Sequence, residues 1–215
     1  MSRHQHSAGT AVAAAPKRAH IKHHFLFLGK FFQNRKSISS VWPSSPHLAK
    51  ATIHRVNFQT AKVLVELGAG TGPITEAVVK RLQPHTRFVA IERDHDFAKI
   101  LQDRFSSHPN VHIVRADVRD LSQVLADLKI KKVDNFLSCL PTPNRLPPEI
   151  CNRLLESIEE YLAPQGIYSN ITEVPLLYKK YYRTLFKHVD FQFVPLNMPP
   201  GGVYHCREFK KQSHK

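Results

Sequence analysis

The chain is predicted to fold as an α/β protein: a mostly parallel seven-stranded sheet with an antiparallel C-terminal hairpin, preceded by an N-terminal amphipathic helix. Three observations predict this. From Ala61 onward, short apolar runs alternate regularly with helical patterns, as in a parallel sheet covered on both faces. The first strand runs directly into a glycine-rich turn, Gly68-Ala69-Gly70-Thr71-Gly72. The last two strands are joined by Pro199-Pro200-Gly201-Gly202, too short for a crossover, so they should pair antiparallel.

Residues 1–20 are rich in Ala, His and Ser without periodicity and read as a mobile basic tail. From Ile21 to Lys36 the pattern becomes helical. Ile21, Phe25, Leu28 and Phe32 fall on one stripe, which Leu26 and Phe31 widen. A Ser-rich linker through Trp42 follows, and Ser44 or Ser45 is placed to cap a helix running to about Val56. Residues 21–60 are thus expected to form the amphipathic helix and a substrate-access and cap segment, and residues 61–215 the α/β domain.

Within that domain the expected strands are 62–67, 87–91, 111–115, 133–139, 166–172, 189–195 and 203–209. The expected helices cover 74–82, 97–105, 121–128, 147–162 and 176–186. Pro147 and Pro148 suit the first turn of a helix, where no amide hydrogen is needed.

Bulk properties narrow the function. Apolar residues make up 42% of the 215, enough for a packed core. No run approaches the ~18 consecutive apolar residues of a membrane span. Three cysteines without CxxC pairing fit a reducing cytoplasm, and the scattered histidines read as a basic solvated face, so no metal is expected. The net charge of +14 is uneven: residues 1–65 carry +10 and the remainder +4. A basic arm on a nearly balanced domain implies an anionic partner, either a membrane surface or nucleic acid.

The candidate site lies at three successive strand ends. Gly68, Gly70 and Gly72 let the backbone turn sharply under a ligand at the carboxyl edge of the sheet. Pro73 stands where a dinucleotide fingerprint needs its last glycine, which argues against a nicotinamide enzyme. Glu92 ends the second strand, placed to accept hydrogen bonds from ribose hydroxyls. Asp117, with Val118 beside it, follows the third strand, placed for an adenine amino group.

These residues resemble the class I S-adenosylmethionine-dependent methyltransferases of Rossmann-like fold. The resemblance implies that Glu66 helps hold the methionine end of the cofactor, Glu92 the ribose and Asp117 the adenine. The wider pattern is similar to the bacterial phospholipid and ornithine-lipid N-methyltransferases. Asn34-Arg35-Lys36-Ser37-Ile38, Val41-Trp42-Pro43-Ser44-Ser45, Ser138-Cys139-Leu140-Pro141 and Asn197-Met198-Pro199-Pro200 carry it, from about Phe25 to the C-terminus.

That similarity implies successive methylation of a primary amine on a lipid head group. Ser138 and Glu173 are the candidate catalytic residues. Phe25, Leu28, Phe31, Phe32, Trp42, Ser44 and Ser45 are the candidates for contact with lipid and membrane. Two departures from the family pattern stand out: Glu173 where an aromatic is usual, and Cys139 where glycine is usual. A carboxylate at 173 can pair with an ammonium or take its proton, which tilts the expectation towards ornithine lipid over phosphatidylethanolamine.

The expected location is the cytoplasm, peripherally on the inner face of an anionic membrane. Nucleic acid is the less favoured partner, because the stacking aromatic of amino-methylating nucleic-acid enzymes is missing after the fourth strand. An RNA base N-methyltransferase and a membrane-binding scaffold with a vestigial cofactor pocket are the competing readings. The sequence leaves the oligomeric state open.

Overall fold

In a computed structural model the described residues are 45–140, 146–174 and 177–210. The expected tail and amphipathic helix, with Phe25, Leu28, Phe31, Phe32, Trp42 and Ser44, lie outside them. Seven strands form one sheet: β1 (Val63–Leu67), β2 (Arg87–Glu92), β3 (Val111–Arg115), β4 (Val133–Ser138), β5 (Leu162–Thr172), β6 (Phe186–Val194) and β7 (Gly201–Phe209). Their order is β3-β2-β1-β4-β5-β7-β6. β1 to β5 run parallel, and β7 inserts between β5 and β6, antiparallel to both.

The helices are α1 (Pro46–Thr52), α2 (Pro73–Val79), α3 (His95–Phe105), α4 (Leu121–Asp127), α5 (Pro148–Tyr161) and α6 (Lys179–Leu185). Strand alternation sorts the core into two layers. Val65, Leu67, Val89 and Ile91 face Leu121 and Leu125 of α4, Leu154 and Ile158 of α5, and Tyr182 of α6. Leu64, Phe88 and Ala90 face Ala49 of α1, Ile74 and Val78 of α2, and Leu101 and Phe105 of α3. With both faces covered, β1 and β2 are nearly continuous apolar runs, as a buried parallel sheet requires.

Local chemistry explains where elements start and stop. Ser45 caps α1: its Oγ accepts the Leu48 N–H at 3.2 Å, and Pro46 sits in the first turn. The helix ends at Thr52, short of Val56. β-Branched Thr52 and Ile53 disfavour extension, and Thr52 Oγ1 donates back to the Leu48 carbonyl at 2.8 Å. Ala49, Ile53, Val56 and Phe58 are buried with Leu64 and Ile74, so this stretch shares the core of the sheet's compact unit, Trp42–Lys215.

Two other elements differ from expectation. β5 begins at Leu162, ahead of Gly166, and its register on β4 shifts between Val133 and Asn135. The irregularity accommodates Pro164, which has no amide hydrogen for the ladder. The helix expected over 176–186 is shorter because Phe186 is already strand, its ring stacked on Tyr168 with centroids 6.0 Å apart.

Candidate functional site

The strand order reverses at β1, whose neighbours are β2 and β4, so the crevices open at the carboxyl edge there. The register sets Leu67 beside Ile91 and Ser138, Glu92 beside Arg115, and Ser138 beside Asn170. The candidate residues after β1, β2, β3, β4 and β5 therefore share one rim.

The glycine loop is pinned to β2 where Gly68 N–H donates to the Ile91 carbonyl at 2.9 Å, and it closes where Gly72 N–H donates to Ala69 at 2.9 Å. Its glycines have φ of +77° (Gly68), +54° (Gly70) and +84° (Gly72), the left-handed region that other residues enter at a cost. The three differ in surroundings. A Cβ on Gly68 or Gly72 would meet Leu140 Cδ2 at 2.9 Å or Leu101 Cδ2 at 2.5 Å, whereas on Gly70 it would meet nothing within 4 Å. Gly68 and Gly72 are thus constrained by packing, and Gly70 borders open space.

Glu92 ties that loop down. Its Oε2 accepts the Gly70 N–H at 2.7 Å and its Oε1 the Asp94 N–H at 2.8 Å. Each carboxylate oxygen keeps a lone pair for a hydroxyl donor. Asp94 in turn caps α3, its side chain accepting from the Asp96 and Phe97 amides.

Glu66 is fully buried. Its Oε2 accepts the Thr75 hydroxyl at 2.6 Å, and its Oε1 has no partner among the described residues. Burial pushes this carboxyl up to about 8; the Thr75 hydrogen bond opposes the rise and the Glu92 charge adds to it. An acceptor left open in the interior costs free energy unless a ligand's donor or cation completes it.

Asp117 follows β3 and caps the short turn Val118–Asp120. Its carboxylate accepts the Arg119 N–H at 3.0 Å and the Arg119 guanidinium at 3.0 Å, with Arg93 at 3.7 Å. The Arg119 hydrogen bond is the main cause holding it below the usual carboxylate range.

Beyond β1 the rim continues through β4 and β5. Ser138 is fully buried, and its Oγ accepts the Leu140 N–H at 3.3 Å, shaping the turn. Cys139 N–H donates to the Leu67 carbonyl at 3.0 Å. Burial pushes its thiol well up, with the Glu66 and Glu92 charges adding to the effect. Glu173 is half-buried in a turn closed by Thr172, whose hydroxyl accepts the Val174 N–H at 3.1 Å. Ser45, beyond its capping role, has its N–H held by Asn197 Oδ1 at 3.0 Å.

The structure thus joins Gly70 directly to Glu92 and Glu66 to Thr75, with Asp117 towards β3 and Glu173 towards β5. Sequence reasoning missed Thr75 as the partner of Glu66. A hydroxyl residue three positions after Gly72, in the first turn of the following helix, was the available signal. The open cradle at Gly70, the unpartnered Glu66 oxygen and the anchored Glu92 fit an adenosyl cofactor with a cationic end.

Comparison with known proteins agrees. The family profile for ribosomal RNA adenine dimethylase matches residues 31–176. The ornithine lipid N-methyltransferase of Singulisphaera acidiphila is 44% identical over 191 residues, 89% of this chain and 99% of that enzyme. The ribosomal RNA small subunit methyltransferase A of Thermotoga maritima is 32% identical over 133 residues, 62% of this chain but 42% of that enzyme. Among solved structures, human methyltransferase-like protein 13 in complex with SAH aligns with a TM-score of 0.56 at 16% identity, covering 78% of this chain and 81% of that one. With the family profile matching more than half of its length, the chain belongs to the ribosomal RNA adenine dimethylase family of class I S-adenosylmethionine-dependent methyltransferases.

Proposed function

We propose that this enzyme methylates the primary amine of a membrane-lipid head group, with ornithine lipid as the favoured substrate. The observation that carries the reading is the end-to-end match at 44% identity with the Singulisphaera acidiphila enzyme, which leaves 1% of that protein uncovered. The RNA methyltransferases of the Thermotoga species match over 42–45% of their length. The RNA alternative rests on these more distant, partial matches.

When bound, the cofactor supplies an electrophilic methyl group on a sulfonium. The chain's work is alignment and exclusion of water. In this reading Glu92 and the Gly70 backbone hold the ribose side of the pocket, Asp117 and Val118 the adenine, and Glu66 the cationic end. Ser138, being buried, is a positioning residue that sets the course of the backbone through Cys139 and Leu140. Glu173, on the same edge, attracts the incoming ammonium and receives its proton before attack. The basic N-terminal arm, with +10 in residues 1–65, brings the protein to an anionic membrane surface.

Purified protein with labelled cofactor, offered ornithine lipid, phosphatidylethanolamine and ribosomal RNA in parallel, should label the ornithine lipid most. Label confined to RNA would overturn the reading. Glu173→Gln should lower methylation at least tenfold at pH 7 while leaving cofactor affinity intact, a loss on the order of 1.4 kcal/mol or more. Glu92→Ala should instead weaken binding of S-adenosylhomocysteine by about a hundredfold in calorimetry. It removes a charged acceptor worth roughly 1.5–3 kcal/mol per hydrogen bond and frees the Gly70 N–H. Unchanged affinity would take Glu92 out of the cofactor site.

A further inference from the structure

The large apolar residues exposed among the described residues are Val174, Leu177, Phe193, Leu196 and Met198. They are not scattered. β7 is antiparallel to both β5 and β6, so β5 and β6 point the same way as β1 to β4. The segment after β5 and the hairpin loop after β6 therefore emerge at the same edge as the glycine loop. Val174 and Leu177 belong to the first, Leu196 and Met198 to the second, and Phe193 lies at the end of β6. Scattered single apolar residues need no explanation; all of them at one edge do.

The two loops are held side by side. Thr172 pairs with Gly202, and a Cβ on Gly201 would come within 2.9 Å of the Thr172 carbonyl, so β7 starts tight against the end of β5. Asn197 braces the hairpin loop from both ends of its side chain: Oδ1 accepts the Ser45 N–H at 3.0 Å and Nδ2 donates to the Pro199 carbonyl at 2.8 Å. The apolar side chains are thus displayed from a stiff support, 65% exposed for Leu196 and 71% for Met198.

We propose that these two loop tips are a membrane-inserting surface that sets the methyltransferase rim against a bilayer, so that the substrate's head group arrives at the cofactor edge. This deepens, and rests on, the lipid reading above. Residues 194–202 contain no charged side chain, and Lys179 and Lys180 come two and three residues after Leu177, so an apolar tip is backed by cations, as an anionic interface favours. The seven Lys and Arg of residues 1–44, with no acid among them, join the described fold at Ser45, the residue that Asn197 holds. An RNA-binding edge would carry cations and stacking aromatics at its tips; here they are Val, Leu and Met with a single Phe.

The test uses the full chain and vesicles of phosphatidylglycerol with phosphatidylcholine. Leu196→Ser with Met198→Ser removes two largely exposed side chains, so folding and S-adenosylhomocysteine affinity should stay as in the parent. Partitioning onto vesicles should fall about 30-fold, and unchanged partitioning would overturn the proposal. For insertion itself, Leu196→Trp in a Trp42→Phe background should be quenched by brominated acyl chains; vesicle-bound protein without quenching also overturns it. Loss of binding to a ribosomal RNA fragment in the double variant, with vesicle binding intact, would reassign the surface to RNA. Quenching by a protein that never methylates ornithine lipid would sink the substrate assignment and leave the surface standing. Methylation of ornithine lipid without quenching would do the reverse.

Discussion

Gly70→Ala and Gly72→Ala are expected to fail in opposite ways, although they lie two residues apart in one loop. At Gly72 the new methyl would stand 2.5 Å from Leu101 Cδ2, and φ is +84°. Leu101 is fully buried in α3 and has little room to move. Overpacking of about 1–3 kcal/mol adds to a left-handed cost of roughly 1–2 kcal/mol. In a domain of this size that should lower the melting temperature by roughly 10 °C.

At Gly70 the backbone cost is similar, but the methyl meets no protein atom within 4 Å. The loss of stability should therefore stop at about 1–2 kcal/mol. The space it fills is the space assigned to the cofactor, so affinity for S-adenosylhomocysteine should drop at least tenfold, about 1.4 kcal/mol. Thermal melts with calorimetry on both variants check the pair. Parental affinity in Gly70→Ala would move the cofactor away from this loop.

The second large effect concerns Glu66 and pH. Its carboxyl is raised from 4.5 to about 8 in the fold, chiefly by burial. The folded protein therefore holds a proton that the unfolded chain has released. This contribution to stability is complete below pH 4.5 and is lost progressively as pH rises towards 8, by roughly 1.4 kcal/mol per unit inside that window. Glu66→Gln keeps the shape, and its amide oxygen can still accept from Thr75, so it should flatten this part of the pH–stability curve.

A cation placed at the open Oε1 would favour the ionised form. Binding of S-adenosylmethionine near pH 7 should then release a proton, seen as enthalpies that differ between buffers of different ionisation heat. Equal enthalpies in phosphate and Tris would mean that Glu66 does not change its protonation on binding.

Much of the scaffold was legible in the residues alone. Seven strands, the helices between them and the antiparallel end follow from apolar periodicity and from Pro199-Pro200-Gly201-Gly202, because periodicity reports burial on one or both faces. The glycine spacing and the acids at 66, 92 and 117 pointed to the carboxyl edge of the sheet, where the structure brings them together and where we propose the cofactor binds. Boundaries were less legible where a single side chain decided them. Thr52 bonding back to Leu48, and Phe186 leaving its helix to stack on Tyr168, depend on neighbours that periodicity does not report.

Tertiary structure alone decided the rest. It made Glu66 a buried, half-satisfied carboxyl rather than an exposed acid, because the Thr75 hydroxyl reaches only one of its oxygens. It separated Gly70 from Gly68 and Gly72, which no spacing distinguishes, because Leu140 and Leu101 crowd two of the three. It also gathered Val174, Leu177, Leu196 and Met198 at one edge from loops some twenty residues apart. That last result comes from strand direction: once β7 inserts antiparallel between β5 and β6, both loops must open at the same edge of the sheet as the glycine loop.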